Sequence, residues 1–269
     1  MKNYLKSLEQ TSFWPIVGIL GSIKKSIQNR KLQLLWKDFD GHWFTKQKEI
    51  TLYSTEIVVD TYDEIIGKVK KYFLQNYHPK SGDTVIDVGA GIGDDVIFFS
   101  RQVGPQGTVI AIEANPDTYK CMLKTISSNN LKNVICLNLA CASSNTTVEI
   151  SRDQGYLSNR IYSDKKFTDP HRVQAKTLNQ IVEDHKISEV HFLKLNIEGA
   201  EFDALNGALS LIKSKTHFAV SCHDFKYLEG QGDFFKTYDK VSNFFERHNR
   251  DIYSIESSDR ELPFYIFTK

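Results

Sequence analysis

No excess of charge of either sign marks this sequence: 34 basic and 33 acidic side chains leave a formal charge of +1. Nucleic-acid binding draws on a clear basic surplus, so the balance excludes that partner class at the level of the whole chain. Paired thiols are also missing. The four cysteines, Cys121, Cys136, Cys141 and Cys222, show no C-x-x-C spacing, which leaves no zinc knuckle or dithiol redox motif. All lie in or beside apolar stretches, as small buried side chains of a reducing, cytoplasmic compartment do. Long apolar runs are absent too. Phe13 to Gly21 falls far short of the ~20 residues that span a bilayer, so no integral membrane segment and no signal peptide is expected. Lys24, Lys25, Arg30 and Lys31 follow it, so the segment reads either as a helix packed on the domain or as one lying on a membrane surface. There is no internal repeat and no low-complexity tract.

What is present is ordinary globular material, 41% hydrophobic and 25% charged, enough for a sizeable core. Residues 1–60 differ in texture from the rest. They predict an early helix, then strands over Leu32–Trp36 and Trp43–Leu52 around the turn residues Asp38-Phe39-Asp40-Gly41, and read as a small N-terminal appendage to a domain over 61–269. The appendage either joins two copies into a homodimer or lids the site. Ile65, Ile66, Val69, Tyr72 and Phe73 predict a helix over Asp63–Leu74, ended by Pro79 to Asp83.

From Thr84 onward, strands alternate with helices. Thr84–Val88, Thr108–Ile112, Val134–Leu139, Val190–Ile197 and His217–Cys222 are β-branched or apolar throughout, as in parallel strands buried on both faces. Helical stripes stand between them: Tyr119, Met122, Leu123 and Ile126 behind the N-cap Asn115 and Pro116; Phe202, Leu205, Leu209 and Ile212; Phe234, Tyr238, Val241 and Phe245. Ile252–Ile255 and Phe264–Phe267 predict a closing antiparallel pair. The alternation predicts a doubly wound, mostly parallel α/β sheet of Rossmann-like class. Ser151–Val173 breaks the rhythm with a polar loop expected to cover a ligand, in which Arg160, Lys165 and His171 are candidate substrate contacts.

The chemistry is written in Thr84-Val85-Ile86-Asp87-Val88-Gly89-Ala90-Gly91-Ile92-Gly93-Asp94-Asp95, a strand, a glycine-rich turn and the start of a helix. A dinucleotide fingerprint would read G-x-G-x-x-G, with a helix N-terminus free to receive a pyrophosphate. Here the spacing is G-x-G-x-G, and two aspartates open the helix. They repel a pyrophosphate and suit the ammonium of a methionine moiety, which favours S-adenosylmethionine over NAD. Glu113 ends the next strand twenty residues after Gly93, where a carboxylate accepts from ribose hydroxyls.

Val-Ile-Asp-Val-Gly-Ala-Gly-Ile-Gly (85–93), Ala-Ile-Glu-Ala-Asn-Pro (111–116), Asn-Leu-Ala (138–140) and Leu-Lys-Leu-Asn-Ile-Glu-Gly-Ala-Glu (193–201) together resemble the FkbM-type methyltransferases, over roughly residues 60–220. The resemblance implies a seven-stranded Rossmann-like class I methyltransferase fold, S-adenosylmethionine as donor, and O-methylation of a small-molecule acceptor such as a sugar or natural product. It carries over onto Asp87, Gly89, Gly91 and Glu113 as cofactor contacts and implies an adenine pocket near Leu139-Ala140. With their neighbours Ala90, Gly93, Asp94, Ala114 and Ala140, these make the expected cofactor set.

The family usually has Asp where this chain has Asn196, which cannot act as a carboxylate base or an anionic metal ligand; no metal site is expected. The expected catalytic set is His223 as base, at the end of an apolar strand, with Asp224 assisting it or contacting substrate, Asn196 orienting an acceptor hydroxyl or the sulfonium end of the cofactor, and Glu198 nearby. Glu201 is read as a helix-start charge. The remaining histidines, 42, 78, 185, 191, 217 and 248 among them, show no ligand spacing. Competing readings keep the cofactor but move the methyl to nitrogen or a macromolecule, keep binding without catalysis, or replace the cofactor by NAD.

Overall fold

The computed structural model describes residues 14–29, 33–58, 60–151 and 170–269. Its centre is a seven-stranded sheet. In chain order the strands are β4 (Thr84–Val88), β5 (Thr108–Ile112), β6 (Val134–Leu137), β10 (Phe192–Leu195), β11 (His217–Ser221), β12 (Ile252–Tyr253) and β13 (Tyr265–Thr268). Their spatial order is β12-β13-β11-β10-β4-β5-β6. β6, β5, β4, β10 and β11 run parallel, while β13 inserts antiparallel to both β11 and β12. This is the doubly wound sheet that the alternation of apolar strands and helical stripes predicts.

The strands are buried on both faces because helices cover both. Val85 and Val109 point into one core with Val69, Val96, Phe99 and Met122, supplied by α2 (Tyr62–Tyr72), α3 (Asp94–Val103) and α4 (Pro116–Ser128). Their neighbours Ile86 and Ile110 point into the opposite core with Ile181, Leu205, Ile212 and Phe245, from α5 (Leu178–Asp184), α6 (Glu201–Asn206), α7 (Leu209–Ile212) and α9 (Tyr238–Arg247). Successive strand side chains face opposite ways, so each residue of a run such as Val-Ile must be apolar to serve its own layer.

Side chains cap the starts of α2 and α4, the second at the Asn115 that the sequence predicts. Thr61 and Glu64 form a reciprocal capping box on α2, and the Asn115 side chain accepts from Asp117 and Thr118 at the start of α4, with Pro116 in the first turn. Several boundaries differ from the sequence expectation; Phe234, expected on the last helical stripe, lies in a separate 3-10 turn over Asp233–Phe235. The apolar stretch over Trp43–Leu52 is two strands, β2 (Trp43–Lys46) and β3 (Thr51–Ser54), because Gln47 N–H closes a turn on Ile50 O; with β1 (Leu34–Lys37) they form a small antiparallel sheet. The single stripe after Gly199 is two short helices, α6 and α7, broken at Gly207, which lies so close to Ala142 O that a Cβ there would come within 2.3 Å.

A further difference is a missed sheet. β7 (Ala140–Cys141), β8 (Thr146–Ile150) and β9 (His171–Lys176) pair in the order β7-β9-β8. His171 to Val173 are thus strand rather than covering loop; residues 152–169, with Arg160 and Lys165, lie outside the described residues. β8 alternates exposed and buried positions too weakly to stand out in the sequence, since only Ile150 is fully buried.

The N-terminal sheet is tied to the main one through α4. Thr51 N–H donates to Asn129 Oδ1 and Tyr53 N–H to Thr125 Oγ1, so helix side chains satisfy the open edge of β3. No helix among the described residues is long and apolar enough to cross a membrane.

Candidate active site

The sheet order reverses at β4: its neighbour on one side is β5, the next strand in the chain, and on the other β10, reached much later. Ligands of open α/β sheets bind in the crevice outside such a reversal, at the carboxyl ends of the strands. An open cleft lies there, lined by residues at the carboxyl ends of β4, β5 and β10.

Its floor is the turn after Val88. Gly89 and Ala90 N–H both donate to Ile112 O, locking the turn against β5. Gly89 has φ +77°, and a Cβ there would lie 2.0 Å from Asn196 O. Both features demand glycine. Gly89→Ala is expected to lose about 3–5 kcal/mol, from the left-handed backbone and the overpacking together. Urea denaturation measures it, and a loss under about 1 kcal/mol would mean that β4 and β10 separate freely.

Glu113 is 7% exposed and spans the turn and the next helix. Its Oε2 accepts from Gly91 N–H at 3.0 Å and its Oε1 from Asn115 N–H at 2.8 Å. Burial pushes the carboxyl up to about 7 in spite of these donors. Asp94, at the first position of α3, also faces the cleft; burial and then the charge of Asp95 push it up to about 7. A cationic, hydroxyl-bearing occupant beside these two carboxyl groups would favour their ionised forms. Ile112, Ala114, Leu139, Ala140, Cys141 and Ile150 supply the apolar wall.

Of the expected cofactor residues, Gly89, Ala90, Gly91, Asp94, Glu113, Ala114 and Ala140 all line this cleft, as does Asn196. Asp87 and Gly93 support it from behind. Asp87 is fully buried, with Oδ1 2.7 Å from Lys194 Nζ; Gly93 is the N-cap of α3, packed on Met122.

Lys194 is the group that the sequence reading passed over. It sits in the middle of β10, its side chain 2% exposed, bridging Asp87 and Asp95, the latter at 3.2 Å. Burial opposes its charge, but Asp87, Asp95 and Asp94 outweigh burial and hold the ammonium above its ordinary pKa. Burial raises Asp87 while Lys194 pulls it back toward ionisation. The visible signal was a lone lysine inside an otherwise apolar strand, Phe192-Leu193-Lys194-Leu195, which only an internal partner explains.

At the other end of the cleft, the chain after β10 turns through Asn196, Ile197 and Glu198, the last with φ +59°. Glu198 pairs with Lys226, from α8 (Asp224–Leu228), and lies 3.5 Å from His223 Nε2. Burial would raise its pKa; His223 and Lys226 outweigh burial and hold it below the ordinary carboxylate value. Glu201, with no exposed surface, accepts from Ile197 and Gly199 N–H and stands 2.9 Å from His223 Nδ1. It is therefore a buried counter-ion as well as the helix-start charge that the sequence implies.

The structure buries His223, the residue expected as the base. It is 2% exposed, behind Glu198 rather than in the cleft wall. Burial would lower its pKa, but Glu201 and Glu198 prevail and push it up to about 10, so at neutral pH it already carries its proton. Asp224 turns away to accept from Thr237 and Tyr238 N–H, the first turn of α9. A consequence is measurable. The His223 pKa is raised on folding from an ordinary 6.5 to about 10. Its contribution to stability is full below the lower value and is lost as pH rises through the upper one. Stability of the natural protein is expected to decline across that interval more steeply than that of His223→Gln; equal slopes in urea denaturation would remove the charged pair from the account.

His171 lies apart, on β9, with Nε2 3.3 Å from Asp117. Asp38, Asp40 and His42 gather closely enough to suggest a cation site, yet Lys124 Nζ already stands 2.5–2.9 Å from all three. The four cysteines are free thiols, three of them buried.

A cleft at the reversal of a seven-stranded, mostly parallel sheet with helices on both faces gives the chain a Rossmann-like fold of the class I methyltransferase type. Residues 87–252 match the family described as the methyltransferase FkbM domain, and the chain belongs to that family. Among solved structures, methyltransferase FkbM from Methylobacillus flagellatus KT superposes with a TM-score of 0.51 over 78% of this chain and 50% of that one, at 15% identity. Among curated proteins, it is similar to arsenite methyltransferase of Halobacterium salinarum, 34% identical over 20% of this chain and 14% of that one. It is similar also to demethylmenaquinone methyltransferase of Lactobacillus johnsonii, 35% identical over 25% of this chain and 28% of that one. The chain thus spans at most about half the length of these relatives.

Proposed function

We propose that this protein is an S-adenosylmethionine-dependent methyltransferase acting on a hydroxyl group of a small molecule. The observation that carries the cofactor reading is the sign of charge at the start of α3. There Asp94 faces the cleft, Asp95 stands beside it, and Gly91 N–H is already taken by Glu113. A pyrophosphate seeks free N–H groups and no anions; a methionine ammonium and a ribose diol seek carboxylates. Glu113 retains lone pairs for both ribose hydroxyls after its two backbone bonds. The Leu139–Ala140 wall suits a flat adenine, and Asp87 and Lys194 stiffen the floor beneath.

The donor, when bound, supplies a methyl group on a sulfonium already activated for displacement. What remains for the protein is alignment and the acceptor's proton. Asn196 and Glu198 share the end of the cleft nearest β10. Asn196 orients the hydroxyl, and Glu198, kept ionised by His223 and Lys226, takes its proton. His223 is a positioning residue that fixes Glu198. A hydroxyl nucleophile fits this arrangement better than an amine, which needs no anionic acceptor beside it.

Calorimetric titration with S-adenosylhomocysteine and with NAD, followed by transfer of labelled methyl to a panel of sugars, phenols and amines, tests the proposal. Binding of the first nucleotide and methylation of hydroxyl compounds are expected; uptake of NAD instead would overturn it. Glu113→Ala is expected to weaken S-adenosylhomocysteine by about ten- to a hundred-fold, since hydrogen bonds to a charged group contribute roughly 1.5–3 kcal/mol. Unchanged affinity would remove Glu113 from the ribose.

A further inference from the structure

The first described helix, α1 (Trp14–Asn29), is turned inside out relative to an ordinary surface helix. Amphipathic helices bury their large aliphatic stripe and expose small or polar residues. Here the buried side is small. Val17, Gly18, Gly21 and Ser22 lie against β1. A Cβ on Gly18 would come 2.9 Å from Leu35 O, one on Gly21 would come 2.8 Å from Leu35 Cδ2, and Ser22 Oγ accepts from Leu35 N–H. Trp14 sets the rotation by packing edge-on against Trp36 and Trp43.

The outward side carries Ile16, Ile19, Leu20, Ile23 and Ile27, each between 51% and 72% exposed. The spacing i, i+3, i+4, i+7, i+11 puts all five on one face. Five aligned aliphatics form a contiguous patch of the kind that marks an interaction surface, not the scattered apolar residues of any protein exterior.

Charge identifies what the patch faces. From Gln10 to Lys37 the chain carries Lys24, Lys25, Arg30, Lys31 and Lys37 and no acidic residue. Lys24 is exposed, one turn beyond Leu20 on the rim of the aliphatic face. An aliphatic face with a cation at its rim is complementary to a bilayer of anionic lipids: acyl chains take the aliphatics and headgroups the lysine. A second copy of this chain, packed face to face, would find no counter-charge within residues 10–37. At 16 residues the helix is about 24 Å long and would lie in the plane of the surface.

We propose that α1 seats this protein on the surface of a negatively charged membrane through Ile16, Ile19, Leu20, Ile23 and Ile27. Docking rests on none of the residues assigned to methyl transfer, so it stands or falls separately from that activity.

Co-sedimentation of the full chain with vesicles of phosphatidylcholine, alone or with phosphatidylserine added, tests it. Binding to the phosphatidylserine vesicles is expected, weakening as salt is raised. Ile19→Glu and Ile23→Glu should each weaken it roughly tenfold or more, and Lys24→Gln about fivefold. All three variants should keep the thermal unfolding midpoint and the nucleotide affinity of the natural protein, because the altered side chains point away from the fold. Four results would overturn the proposal: no sedimentation with either vesicle, equal sedimentation with both, unaltered binding by the two glutamate variants, or a dimer in analytical ultracentrifugation that Ile23→Glu dissolves while no vesicle is bound.

Discussion

Replacing Glu198 by Gln is expected to slow methyl transfer by about a hundredfold at saturating cofactor and acceptor. The estimate takes the low end of the 10²–10⁴ that a positioned base contributes. A base is strongest when its pKa lies near the operating pH, and His223 and Lys226 hold Glu198 below the ordinary carboxylate range. The arrangement favours an acceptor that is always ionised over one that is strongly basic. Glutamine keeps the shape and an acceptor oxygen but cannot take the proton, so kcat should fall while nucleotide affinity holds. Lys226→Met offers an independent readout. It removes one of the two cations facing Glu198, so the carboxyl pKa should rise and the acid limb of the kcat profile move to higher pH. If Glu198→Gln transfers methyl at the natural rate, the proton leaves by another route. If it loses nucleotide affinity and folding together, Glu198 is structural.

Lys194→Met should be strongly destabilising, by about 3–5 kcal/mol. Asp87 has no exposed surface and Lys194 Nζ lies 2.7 Å from it. A buried carboxylate that loses its partner must either remain charged in a poor medium or take up a proton; either way the cost is far above that of a surface ion pair. The double variant Asp87→Asn, Lys194→Met should recover much of the loss, because neither side then keeps an unpaired charge. Additive losses in a double-mutant cycle would mean that the two groups do not interact. Nucleotide binding should weaken in the single variant as well, since Lys194 also reaches Asp95 and lines the cleft floor.

Local pattern was sufficient wherever one segment's neighbours are its own. The run Thr84–Val88, the glycines after it, the cap Asn115 with Pro116, and the carboxylate Glu113 at a strand's end together specify a parallel sheet with a cleft at its reversal. The sequence also held the acidic start of α3, hence the sign of the charge at that edge of the cleft. Periodicity misled at Trp43–Leu52 and at Phe202–Ile212, because an apolar pattern continues across a turn and the break comes from a contact elsewhere: Gln47 with Ile50, Gly207 against Ala142.

Roles that depend on distant partners belonged to the tertiary structure alone. His223 is expected from the sequence as the base; the structure brings Glu198 and Glu201, from a different strand end, beside it, one half-buried and one fully buried, and together they raise its pKa. Lys194 looks misplaced in β10 until parallel pairing sets it opposite Asp87. The face that α1 turns outward likewise follows from packing, since Gly18, Gly21 and Ser22 fit against Leu35 more closely than any isoleucine could. Sequence determined which elements form and which charged residues line the cleft, because backbone preference and hydrophobic period act over a few residues. Charge states and the exposed face were decided in three dimensions, because electrostatic energy and close packing depend on distance through space, not on separation along the chain.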